Sequence, residues 1–226
     1  MRAIILALGL SLLAVPALAQ DAQSAAPPAD QAPAPASTPA PANPPMTGPQ
    51  LLISTSMGDI TLQLDSARAP KGVANVLRYV REKHYDGTVF YRVAKGFVIQ
   101  MGSFDAKGQG RGVYPGSVPL EADNGLHNLR GAAALAHGDD VDSATADFFI
   151  DVGDNPSLDK SDTSPGYAVF GQVTGGMDVV DQISQVAVGD NGPMKGEAPV
   201  DPILIKKVSV VGEPDAPPKP VAKKKK

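Results

Sequence analysis

The 226-residue chain has no cysteine and no tryptophan, and only three histidines. Without cysteine there is no disulfide framework, no thiolate metal site and no cysteine nucleophile, and the protein performs no redox chemistry of its own. His84, His127 and His137 show neither H-x-H nor H-x-x-x-H spacing, so a histidine-built metal site has no support. The acidic run Asp139, Asp140 and Asp142 fails as a calcium loop, because its sixth position is Ala144 and its twelfth is Ile150 instead of a glutamate. Gly108-Gln109-Gly110-Arg111-Gly112 is followed by Val113 and lacks a flanking strand and helix, so it is no dinucleotide fingerprint. There is no G-x-S-x-G elbow for a serine hydrolase. Neither metal nor cofactor is expected.

Proline is plentiful but unevenly placed: of 22 residues, nine fall within 21–50 and only eight within 51–212. The first 19 residues run Met1-Arg2, then an apolar stretch to Val15, then Pro16 and Ala17-Leu18-Ala19. That pattern predicts a cleaved secretory signal, and the apolar stretch is short of the roughly 20 residues a membrane span requires. The mature chain is expected to begin at Gln20 and to work in the periplasm or outside the cell. Residues 20–50 are dominated by alanine and proline and read as a disordered, semi-stiff tether. Residues 213–226 end in Lys223 to Lys226, a tail suited to weak contact with anionic envelope polymers or head groups. Arg2 carries +1, segment 21–50 carries −2 and segment 213–226 carries +3, which leaves −6 of the net −4 on residues 51–212. An acidic domain of that kind is a poor nucleic-acid binder, because such affinity rests on clustered lysine and arginine.

Residues 51–212 suffice for one core and are too few for two ordinary domains. Leu51–Thr55 and Ile60–Leu64, joined at Met57-Gly58-Asp59, read as a hairpin, with Ile60, Leu62 and Leu64 alternating as on a half-buried strand. Pro70 starts a helix whose apolar stripe is Val73, Val76, Leu77 and Val80. Strands are predicted at 88–93, 97–101, 131–136, 147–150 and 167–173, a second helix at 178–185 and a last strand at 203–211. Many short strands with two distant helices argue a mainly β fold, an antiparallel barrel or sandwich with helices as covers.

One cluster carries chemistry. Phe90-Tyr91-Arg92-Val93 and Phe97-Val98-Ile99-Gln100 place an arginine and a glutamine among apolar residues on adjacent strands. An arginine in an apolar strand is costly unless it is paired or lines a groove. Strict alternation puts Phe97 and Gln100 on opposite faces, so they share one only if a bulge or twist intervenes.

At these residues the chain resembles the cyclophilin family of peptidyl-prolyl cis-trans isomerases, and in particular its exported bacterial members. The resemblance runs through Phe90-x-Arg92-Val93-x-x-Gly96-Phe97-x-Ile99-Gln100-x-Gly102, Glu121-Ala122-Asp123-Asn124-Gly125-Leu126 and Arg130-Gly131. It continues through Asp142-Ser143-Ala144-Thr145, Phe148-Phe149-Ile150 and Tyr167-Ala168-Val169-Phe170-Gly171-x-Val173. It implies an eight-stranded antiparallel closed barrel capped by two α-helices, an isomerase activity, proline-containing polypeptides as clients and a monomer. By the same resemblance Arg92 and Gln100 are the catalytic pair. Phe97, Val98, Phe149 and Leu158 would grip the proline ring, and the backbone of Ala136, His137 and Gly138 would pair with the substrate. Tyr91, Asp147 and Tyr167 complete the expected binding set.

The reaction needs neither nucleophile nor metal. An X-Pro bond prefers trans by only about 0.5–1 kcal/mol but crosses a barrier of roughly 18–20 kcal/mol set by amide resonance. A guanidinium aimed at the prolyl nitrogen stabilises the twisted state, where that nitrogen holds a lone pair, more than either planar isomer. The chain departs from the family in several places. Tyr91 stands where histidine is frequent, Val98 where methionine is common, Ser157 where an aromatic walls the pocket and Tyr167 where histidine is frequent. Asp147 replaces a glutamine, and the expectation is that its carboxylate draws Arg92 into an ion pair and weakens turnover. The alternative function is a proline-segment binding module or holdase with reduced turnover.

Overall fold

The structure is a computed structural model and describes residues 42–190 and 192–214. The expected signal segment 1–19, most of the tether and the lysines of the tail lie outside the described residues.

Eight strands close into an antiparallel barrel. In chain order the elements are β1 (Gln50–Thr55), β2 (Asp59–Leu64), α1 (Pro70–Arg81), β3 (Thr88–Ala94), β4 (Val98–Asp105), β5 (Ala132–Leu135) and β6 (Phe148–Asp151). They continue with β7 (Val169–Gly175), α2 (Met177–Ser184), β8 (Val188–Gly189), β9 (Ala198–Pro199) and β10 (Ile203–Val210). Around the barrel the order is β1-β10-β3-β4-β6-β5-β7-β2, while β8 and β9 form a separate two-stranded ribbon. Closure removes the unpaired edges that make short strands aggregation-prone. The ribbon was absent from the sequence-based expectation: two residues per strand are too few to show a period.

Two-residue alternation sorts side chains cleanly onto the two faces of the wall. Ile99 and Met101 of β4, Phe148 and Ile150 of β6, and Ala133 and Leu135 of β5 belong to the interior core. Their neighbours Val98, Phe149, Ala132 and Ala134 belong to a smaller apolar cluster on the outer face. Both helices turn their apolar stripes into the interior core, α1 through Val73, Val76, Leu77 and Val80 and α2 through Val179, Val180 and Ile183. The α1 stripe is the one its i, i+3, i+4, i+7 spacing predicts, and Pro70 stands in its first turn, where a missing N–H costs nothing.

The end of the expected tether is structured. Asn43 exchanges hydrogen bonds with the His127 backbone at 2.9 and 2.8 Å. Thr47 and Pro49 carbonyls accept from Ser66 and Leu64, and Met46 packs on the outer apolar cluster. Residues 42–49 therefore lie along the barrel and lead directly into β1 at Gln50.

Candidate active site

The site is created by a fault in one strand. Phe90 and Val93 both face the interior core, although they stand three positions apart and strict alternation would send them to opposite faces. The β3–β4 register resolves this: Phe90 pairs with Met101 and Arg92 with Gln100, with a bulge between them. The extra residue turns both Tyr91 and Arg92 outward. Over residues 98–101 of β4 the alternation is undisturbed, so Gln100 follows Val98 onto the same outer face and lies beside Arg92.

Phe97 reaches that face by a different route. It precedes β4, in a turn where its N–H donates to the Ala94 carbonyl at 3.0 Å, so strand alternation does not apply to it. Its own carbonyl accepts from the Val152 N–H at 2.8 Å and from the Asn155 side chain at 3.0 Å. Opposite stand Phe149 from β6 and Leu158 from a short 3-10 turn. The Leu158 carbonyl accepts from the Tyr167 N–H at 2.9 Å, which ties the two far walls together. Tyr167 meets Phe149 edge-on at 5.4 Å and stacks on His137 at 4.5 Å.

The result is a pocket of about 200 Å³ with an apolar floor. Its lining unites nine of the residues singled out from the sequence: Arg92, Phe97, Val98, Gln100 and Phe149 on one side, Ala136, His137, Leu158 and Tyr167 on the other. Gly138, Tyr91 and Asp147 are not among them. Gly138 is exposed at the rim and its N–H already donates to the Ser143 hydroxyl at 2.8 Å. The Ala136 N–H donates to the Asp147 carbonyl at 3.0 Å. Neither amide serves a substrate without breaking that bond. Ser157 is exposed and outside the pocket, and the stacked Tyr167–His137 pair supplies an aromatic wall instead.

Asp147 corrects the sequence expectation. It does not pair with Arg92. Its Oδ2 accepts from the Ser103 hydroxyl, and Oδ1 is buried with no hydrogen bond of standard geometry. The Arg92 guanidinium pairs instead with Glu197, Nε to Oε2 at 2.5 Å, while its NH1 donates to Gln100 Oε1 at 3.2 Å. The Val93 N–H donates to the Glu197 carbonyl at 2.7 Å, so the segment leading into β9 is fastened to β3 by main chain as well. Glu197 lies 105 residues from Arg92, in a stretch without periodicity, and nothing in the sequence marks it. Its side chain is 36% exposed against 22% for Arg92, so the pair sits at the pocket mouth where water screens it.

Behind the pocket, Gln100 Nε2 donates to the Tyr91 hydroxyl at 2.5 Å, and Tyr91 packs edge-on against Phe104 at 4.8 Å. Burial, followed by the nearby Asp147 charge, pushes the Tyr91 phenol well above its ordinary pKa, so it keeps its proton. Burial likewise raises the Asp147 carboxyl, opposed in part by the Ser103 hydroxyl. One glycine is required here: Gly102 has φ +135, and a Cβ on it would stand 2.6 Å from Asp147 Oδ1. Among the described residues no cluster of His, Asp and Glu is arranged to hold a metal ion.

Comparison with known proteins agrees with this geometry. Residues 50–210 match the model of the cyclophilin type peptidyl-prolyl cis-trans isomerase family. Peptidyl-prolyl cis-trans isomerase A of Dickeya dadantii is 44% identical over 165 residues, covering 73% of this chain and 86% of that protein. A peptidyl-prolyl cis-trans isomerase of Streptomyces antibioticus is 45% identical over 163 residues, covering 71% and 97%. Among solved structures, a Cryptosporidium parvum cyclophilin crystallised in the presence of the dipeptide Ala-Pro has the same fold. It superposes with a TM-score of 0.62 at 24% identity, covering 73% of this chain and 99% of that one. A bulged strand that presents an arginine beside an apolar outer pocket, a closed eight-stranded barrel and this sequence match together show that the chain belongs to the cyclophilin family of peptidyl-prolyl cis-trans isomerases.

Proposed function

We propose that this isomerase binds a proline ring in the Phe97, Phe149 and Leu158 pocket and accelerates its rotation through Arg92. The observation that carries this reading is the setting of Arg92: Nε is committed to Glu197 and NH1 to Gln100, while the side chain still lines the pocket. A guanidinium held on two sides has little freedom left to lose when substrate arrives. It donates to the prolyl nitrogen only once that nitrogen has pyramidalised, so it favours the twisted state over either planar isomer. Removing a proline ring from water, on the order of 100 Å² of apolar surface, supplies about 2–3 kcal/mol to hold the substrate. Gln100 holds the backbone of the residue before proline near the rotating carbonyl.

The clients are proline-containing segments of exported polypeptides. This compartment is supported by the Met1-Arg2 start, the short apolar stretch and the Ala17-Leu18-Ala19 site. Within it, the lysine tail provides weak attraction to anionic surfaces, and the domain acts as a monomer.

The test is two-dimensional exchange NMR on an Ala-Pro peptide, with the wild-type chain and Arg92→Ala. Arg92→Ala is expected to lose catalysis while keeping the folded spectrum, and equal exchange rates for the two proteins would end this reading.

A further inference from the structure

Asp147, the residue whose expected pairing with Arg92 fails, remains tied to that arginine through two other side chains. The inference below rests on the reading that Arg92 and Gln100 work on the substrate.

Hydrogen-bond polarity can be followed atom by atom. A guanidinium has donors only. Because Arg92 NH1 reaches Gln100 at 3.2 Å, the group facing it must be the amide oxygen. The Gln100 NH2 group therefore faces Tyr91, and the Tyr91 oxygen accepts from it at 2.5 Å. A phenol has a single proton to donate, and with its oxygen accepting, that proton must find another acceptor. Asp147 is the carboxyl on that side: its Oδ1 lies against Gly102, two residues on from Gln100 in β4, and its charge acts on the Tyr91 phenol. Its Oδ2 is taken by Ser103, and its Oδ1 is buried and lacks a hydrogen bond. A buried carboxylate oxygen left without a donor is unfavourable, so the Tyr91 O–H is drawn towards it. Turning the Gln100 amide over would set its NH2 against the guanidinium and its oxygen against Tyr91, whose proton would have to leave Asp147.

We propose that Asp147 and Tyr91 form a positioning pair that locks the Gln100 amide in the orientation Arg92 requires, and thereby holds the inner hydrogen bond on Arg92. Neither residue lines the pocket. Glu197 holds the guanidinium from the pocket mouth and Asp147 holds it from behind through two intermediaries. Where the family carries a glutamine, which both donates and accepts, this chain has a carboxylate that only accepts, and it closes the relay at the end opposite Arg92.

A double-mutant cycle on the full-length chain tests the link, with Tyr91→Phe, Asp147→Asn and the double variant followed by exchange NMR. Each single change is expected to lower kcat/KM about tenfold with KM within about twofold, and the double variant to show about the same tenfold loss, because one relay is broken only once. The Gln100 side-chain NH2 resonances, recorded without substrate, are expected to move in the same direction in all three. Multiplication to about a hundredfold in the double variant, or single variants within about twofold of wild type, overturns the proposal. Tyr91→Phe removes one oxygen and keeps the ring. If Asp147→Asn does not fold, unmoved Gln100 resonances in Tyr91→Phe overturn it alone. Arg92→Ala in the same assay separates the two readings: full activity there removes the assigned role of Arg92, whereas loss of activity beside an additive cycle removes only the link to Asp147.

Discussion

Within β4 and β6, Ile99, Met101, Phe148 and Ile150 are fully buried in the barrel, while one residue away Val98, Gln100 and Phe149 line a pocket open to solvent. The interior packs aromatic on aromatic, with Phe148 edge-on to both Tyr85 and Phe170 at 5.7 and 5.6 Å. The outer cluster is floored by small residues, Ala132, Ala134 and Ala94, and around its buried Phe149 the side chains of Phe97, Leu158 and Tyr167 are only half-buried. The two faces share a backbone and differ in completeness. The interior is satisfied by its own side chains, whereas the outer face leaves an apolar surface for a ligand to complete, which is what a binding site built on a rigid wall requires.

The sharpest way to break this comparison is Arg92→Ala. Catalytic efficiency is expected to fall about a hundredfold to a thousandfold, the range for loss of one preorganised donor. The urea midpoint should stay close to wild type, because the side chain sits on the outer face. The neighbouring pair Phe148 and Phe149 separates the faces directly. Phe148→Ala is expected to cost about 3–5 kcal/mol of stability in urea denaturation. Phe149→Ala should cost visibly less stability and instead raise KM. If the two alanine variants destabilise equally, the distinction between interior and pocket is wrong.

Glu197→Gln keeps the size of the side chain and removes its charge. It is expected to lower kcat about tenfold with little change in KM, since the guanidinium remains present but less fixed. Steady-state exchange rates over a range of peptide concentrations separate those parameters.

Asp151 offers a pH test at the end of β6, outside the pocket lining. It is fully buried, accepts from the Asn155 side chain at 2.7 Å, and burial pushes its pKa up to about 8. The folded protein therefore keeps this proton at pH values where the unfolded chain, with an ordinary carboxyl near 4, has released it. The stabilisation from Asp151 is full below about pH 4, is lost as pH rises towards about 8, and is constant above that. Urea midpoints recorded from pH 4 to 9 should show this decline in wild type, and Asp151→Asn should remove that component. The smallest effect is expected from Met46→Ala, about 1 kcal/mol, because the side chain is only half-buried on the outer cluster. A loss as large as that of Phe148→Ala would make the N-terminal segment part of the core.

Much of this architecture was legible beforehand because it rests on local periodicity. The stripe on α1 and the alternation on β2 and β4 each state which residues face inward. Phe97 and Gln100 show where that logic stops: alternation alone separates them, and they meet because Phe97 lies in the turn before β4. The bulge at Tyr91 was equally invisible, since it is defined by a register against Met101 and Gln100 on another strand. Asp147 stands out in the sequence as a departure, but the ion pair expected between it and Arg92 does not form. The Ser103 hydroxyl holds it behind the pocket, and Glu197 takes the place at Arg92.

What the sequence determined by itself was the class of chemistry and the parts: no thiol or metal set, one arginine and one glutamine among apolar strands, and an order of motifs that matches a single family. Those are properties of residue type and short-range spacing. Only the tertiary structure decided which carboxylate holds Arg92. Glu197 and Asp147 are both remote from Arg92 in the chain, and the choice between them depends on a two-residue ribbon and one strand bulge whose energies come from long-range pairing.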